Sequence, residues 1–101
     1  MDKVTSVETN DDPINNTFIV NYNPTQHFLN LNINLVNNGN LMITLYNISG
    51  SPLMVLENSL FQFGESNKTY NMNNFPQGAY YLQIKLNNEI IYPALNFIKV
   101  N

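Results

Sequence analysis

Cysteine, arginine and tryptophan are absent from this 101-residue chain, and histidine occurs once. Without cysteine there are no disulfides, no thiolate metal ligands and no thiol nucleophile. A cysteine-free chain also crosses an oxidising compartment without mispairing. Four lysines are the whole cationic complement, too few to form the clustered positive surface that binding to a phosphate backbone needs; no nucleic-acid partner is expected. No apolar run reaches the roughly 18 residues of a spanning helix, so no direct membrane span is expected. A single imidazole, His27, cannot hold a metal by itself, and no second strong ligand stands at useful spacing. No glycine-rich phosphate loop occurs. The N-terminal MDKVTSVETNDD lacks the basic and apolar regions of a signal peptide, so the chain as written is not expected to use the general secretory route unaided.

Charged residues make up 11% of the chain, against about a quarter in ordinary globular proteins. Asparagine fills the gap, at 21 of 101 positions. A genome of low GC content explains this plainly, and the result is a surface that is polar without being charged. The net charge of −3 is uneven. Residues 1 to 12 carry Asp2, Glu8, Asp11 and Asp12 against Lys3, whereas Glu57, Glu65 and Glu89 balance Lys68, Lys85 and Lys99 in the remainder. Residues 1–17, acidic and aperiodic, read as a flexible linker. Residues 18–101 read as one domain.

That domain has the period of strands. In FLNLNINL, Leu29, Leu31, Ile33 and Leu35 alternate with Asn30, Asn32 and Asn34, giving one buried face and one wet face. FIVNY before it is a short strand stopped by Asn23-Pro24. Asn38-Gly39 suits a tight hairpin turn, with LMITLYNI as the partner strand. Ser49-Gly50-Ser51-Pro52 breaks that strand, and LMVLE follows. Residues 58–65 are ambiguous, with a short strand conceivable around Leu60–Phe63, and KTYNM is a further one. In GAYYLQIKL, Tyr80, Leu82, Ile84 and Leu86 share a face. Pro76 fixes φ and Gly78 permits a turn that side chains resist. Together they set a register whose slip by one residue would expose that whole face. Asn87-Asn88 turns the chain into a last strand. Pro93 interrupts it, which implies an edge or a bulge. About seven short strands, turn signals at intervals of about 8–12 residues and no convincing helix give an all-β fold: an immunoglobulin-like antiparallel β-sandwich.

Catalytic arrangements find little material. His27 would need a neighbouring serine and an orienting carboxylate to serve as a base. Glu57, Glu65 and Glu89 would need to pair as glycosidase acids, but isolated glutamates on a small sandwich are usually solvated. No enzyme activity and no cofactor are expected. Tyr46, Tyr70, Tyr80, Tyr81 and Tyr92 raise the possibility of a sugar-stacking platform, although alternation leaves only Tyr81 free on the outer face. Three glycosylation sequons, at Asn15, Asn47 and Asn67, are expected by chance in a chain this rich in asparagine.

Three segments in order resemble the C-terminal sorting domain of type IX secretion cargo in Bacteroidota. Tyr22-Asn23-Pro24-Thr25 followed by Phe28-Leu29-Asn30-Leu31 is similar to the family's opening YPNPT…LNI. ITLYNISGSPL, with Gly50, resembles ITLYDISGKLV. YNMNNFPQGAYYLQI, with Pro76, Gly78 and Tyr80, resembles LDLSNLPSGVYFLKI. The closing NFIKVN resembles the family's last strand with its lysine, and the likeness spans roughly residues 18–101. It implies a domain at the C-terminus of a larger exported protein. That domain would be read by the type IX outer-membrane translocon and then removed by a sortase-like peptidase. The N-terminal passenger would pass through the periplasm to the outer-membrane surface or the medium. On this reading the chain is an excised C-terminal fragment and Met1 a cloning start. The edge expected to be read is Leu95, Phe97, Ile98, Lys99 and Val100, because Pro93 marks that strand as an edge. A cleavage site is expected in residues 1–17, the one stretch expected to be extended and unprotected. The alternative is an accessory immunoglobulin-like or fibronectin-like module that binds polysaccharide or spaces domains.

Overall fold

The computed structural model describes residues 15–100. Seven strands follow one another: β1 (Thr17–Asn23), β2 (Phe28–Leu35), β3 (Gly39–Asn47), β4 (Pro52–Phe61), β5 (Gly64–Asn71), β6 (Gly78–Leu86) and β7 (Glu89–Lys99). All pairings are antiparallel, in a three-stranded sheet of order β1-β2-β5 and a four-stranded sheet of order β4-β3-β6-β7. In the constant-type immunoglobulin arrangement the fourth strand completes the sheet of the first, second and fifth. Here it pairs with β3 instead, leaving sheets of three and four. The first fourteen residues of the expected linker lie outside the described residues.

The core is the set of side chains that the alternation turns inward. Leu29, Leu31, Ile33 and Leu35 from β2 face Leu41, Ile43 and Leu45 from β3 and Leu82 and Ile84 from β6, each at most 2% exposed. Burying one such side chain stabilises the fold by about 1.5–3 kcal/mol relative to leaving it in water. The two flanks of the sandwich are bridged by larger groups. On one, Phe18 meets Tyr92 edge to face at 5.4 Å. On the other, the Lys68 ammonium stands 5.3 Å from the centre of the Phe61 ring, and the Tyr70 hydroxyl donates to Glu57 Oε2 at 3.2 Å. Burial, then the nearby Glu57 charge and this hydrogen bond, push the Tyr70 phenol well above its ordinary value.

Asn38-Gly39 does not make the hairpin expected of it. β2 and β3 lie in different sheets, and residues 36–38 cross between them. Gly39 is not among the positive-φ residues. Space, not conformation, is what favours glycine there: a Cβ would stand 2.5 Å from Leu86 Cδ1, forcing that side chain aside. Asn38 instead accepts the Phe63 amide on Oδ1 at 2.8 Å, joining this crossing to the one between β4 and β5. The tight two-residue turn lies at Asn87-Asn88, with φ of 51° and 69°, the left-handed pair that matches the twist of a hairpin. Of the ambiguous residues 58–65, 58–61 are the end of one ten-residue strand, β4, 62–63 lie between strands, and Gly64 and Glu65 open β5, so no separate strand spans Leu60–Phe63.

Candidate recognition site

At the pole of the sandwich where β1, β5 and β7 end, the turn after β1 and the crossing between β5 and β6 are fastened together. Asn23 closes β1 by accepting the amides of Thr25 (3.0 Å) and Gln26 (3.3 Å) on its side-chain oxygen, which leaves Pro24 exposed in the turn. His27 follows in the left-handed region, φ 59°. Its Nδ1 lies 3.0 Å from the Tyr22 hydroxyl. Its carbonyl accepts the Met72 amide at 2.8 Å, which fastens the first turn to the crossing between β5 and β6. Met72 is wholly buried beneath. His27 is therefore a tether between two loops.

The Pro76-Gln77-Gly78 turn is held from below. The Tyr80 hydroxyl donates to the Pro76 carbonyl four residues upstream. This is the tyrosine corner found where a sandwich crosses from its fifth to its sixth strand. The ring is 5% exposed, stacked on Phe97 of β7 at 5.7 Å and edge-on to Phe75 at 6.3 Å. Gly78 takes φ 154° with open space around its missing Cβ, so its requirement is conformational. Gly50, at φ 92°, performs the same service in the turn between β3 and β4. There the Asn47 side-chain oxygen accepts from the Ser49 amide and hydroxyl and from the Ser51 amide, at 2.8–3.1 Å. Asn47 is the organiser of that turn. Its signal in the sequence was the Asn-x-Ser-Gly spacing, which places an acceptor two residues before its donor.

The final strand divides by parity. Leu95, Phe97 and Lys99 turn inward, with Lys99 only 5% exposed, while Ile98 (64%) and Val100 (47%) stand in solvent. β7 is an edge, as Pro93 implied, and its pairing with β6 shifts register on either side of Ile84. The aromatics do not assemble into a platform. Tyr46 and Tyr81, opposite each other on β3 and β6, stack face to face at 5.0 Å, so each ring occupies a face of the other. Tyr70, Tyr80 and Tyr92 are engaged at the flanks and in the core.

The family model for the secretion system C-terminal sorting domain matches residues 22–95. The chain belongs to that family. No curated protein matches it. The sorting domain is the signal for type IX secretion: it is attached to a cargo protein, is recognised by the type IX system and marks a secreted protein. The family is one of sorting signals, which are not catalytic. The matched segment opens at Tyr22, in the loop cluster, and runs through Asn47, Gly50, Pro76, Gly78 and Tyr80. The residues that set the turns of this chain, Asn23, Asn47, Gly50, Pro76, Gly78 and Tyr80, thus all lie within the matched segment. The match ends at Leu95, so Phe97, Ile98, Lys99 and Val100 lie beyond it. No support accrues to the polysaccharide-binding or spacer reading.

Proposed function

We propose that this sorting domain is read as a folded sandwich, by addition of a strand from the type IX translocon to the free edge of β7. A sortase-like peptidase then cuts within residues 1–17, freeing the passenger at the outer-membrane surface or into the medium after its passage through the periplasm. The observation that carries the proposal is the exposure of Ile98 and Val100 on an edge strand. Main-chain hydrogen bonds supply affinity in such pairing, and alternate side chains supply selectivity. Because Leu95, Phe97 and Lys99 are turned inward, they position the strand while Ile98 and Val100 present the readable face. The low charge around it reduces the desolvation cost of the contact.

Deleting residues 95–101 from a fused reporter tests the edge as a whole, and Ile98→Asp tests it without touching the core. Retention of the reporter in the periplasm is expected of both, and the sandwich of Ile98→Asp is expected to stay folded by circular dichroism. Undiminished secretion of both variants would sink the β7 reading. Mass spectrometry of the released passenger locates the cut, and a cut inside residues 25–100 is incompatible with the second step.

A further inference from the structure

We propose that the free edge of β1 pairs with the β1 edge of a second copy of this chain, about a two-fold axis through Val20. Among the described residues the sandwich has four edges, at β1, β5, β4 and β7. Sheet edges are template surfaces, and folded proteins blunt them with proline, bulges or charges, inward-pointing ones included. Three of the four are blunted, β7 over its first half only. Its Pro93 and register shifts fall between Ile90 and Leu95, and residues 95–99 pair with β6 without a shift. β4 carries two shifts, in which Leu56 and Leu53 are the residues left without a partner on β3. β5 turns Lys68 inward, opposite Leu31.

β1 has none of these devices. TFIVNYN contains no proline and no charge, and its seven residues pair one-to-one with β2 without a shift. Among the described residues it pairs with no other strand. Ile19 is 62% exposed on it. Such a segment, rich in β-formers and uncharged, is the type that recruits another strand.

The sequence of β1 selects a copy of itself as the occupant. Centred on Val20, an antiparallel pair sets Phe18 opposite the partner's Tyr22, Ile19 opposite the partner's Asn21, and Thr17 opposite the partner's Asn23. All seven residues are used and no two like charges meet. Inward residues face inward residues, so both cores stay on one side of the joined sheet. An axis between two residues would set apolar core positions against asparagines. Two three-stranded sheets would become one continuous sheet, through an isologous contact that closes on itself. A single strand pair buries less than the roughly 1,200–2,000 Å² of a standard stable interface, so the association is concentration-dependent. The proposal does not rest on the β7 reading.

The absence of cysteine gives the test a clean background. Ile19→Cys mixed with Asn21→Cys puts thiols directly opposite each other, at about 4.5–5.5 Å between Cα atoms, within the reach of a disulfide. Either variant alone puts them on the diagonal, at about 7–8 Å. Oxidation of the full chain is expected to cross-link the mixture well above either variant alone or Ile98→Cys. By analytical ultracentrifugation the mass should rise from the 11.6 kDa of one chain towards twice that with concentration. Ile19→Lys, a change at an exposed position, should abolish the rise without lowering the thermal melt at concentrations where the wild-type chain is at one-chain mass. A wild-type chain that stays at one-chain mass overturns the proposal. So does a rise that survives Ile19→Lys, or a mixture that cross-links no better than its components.

Discussion

Replacing Tyr80 by phenylalanine isolates one hydroxyl. The ring would keep its stacking on Phe97 and its edge contact with Phe75, while the Pro76 carbonyl would lose its donor. The expected cost is that of leaving a part-buried polar group unpaired, about 1–3 kcal/mol. Tyr80→Ala removes the ring as well and should cost about 3–5 kcal/mol. For a domain of this size each 1 kcal/mol lowers the melting temperature by about 4–8 °C. Urea unfolding followed by circular dichroism measures both variants, with an unchanged slope confirming that the unfolding reaction is the same. The turn should loosen before the core does. Amide exchange at Phe75 and Gly78 should therefore quicken in Tyr80→Phe while that of Leu82 and Ile84 stays protected. A Tyr80→Phe variant as stable as wild type would refute the view that the corner holds the Pro-Gln-Gly turn in place. The same variant should also be exported less well if the turn positions β7 through Phe97.

Asn47→Ala removes the acceptor of three hydrogen bonds in the turn between β3 and β4 and should destabilise the domain by about 1–2 kcal/mol; Asn47→Asp, which retains the acceptor, should restore most of it in the same urea measurement. Tyr70 gives a pH test. Its folded phenol keeps its proton above the ordinary value of 10, while the unfolded one releases it there, so the folded state binds more protons above pH 10 and stability must fall as pH rises further. Tyr70→Phe should flatten part of that decline and remove a late phenolate from an ultraviolet titration of the folded chain; an unaltered decline would exclude Tyr70 as a source.

Much of the site was legible because strands are read with a period of two. The stripes Leu29-Leu31-Ile33-Leu35 and Tyr80-Leu82-Ile84 could belong to one face and no other, and both are core. Pro93 named an edge because a proline has no amide to donate. Gly50 and Gly78 were visible because a positive φ is a local demand, met by the residue itself. The loop cluster was less legible. The bond from Met72 to His27 depends on where a turn in one hairpin falls relative to a crossing 45 residues on, and no local spacing encodes that distance.

By itself, then, the sequence determined the strands, their inward faces, the principal turns and the membership of the family, since each depends on neighbours within a few positions. The tertiary structure alone decided which strands pair. It sent β3 to the opposite sheet from β2, so that Asn38-Gly39 became a crossing rather than a hairpin, and it gave β4 to β3. It also decided that Lys99 is buried and that β1 is left with an unblunted edge. These follow from closing two sheets over one core: strand order is a choice among non-local contacts, and a side chain's exposure depends on what the fold lays across it.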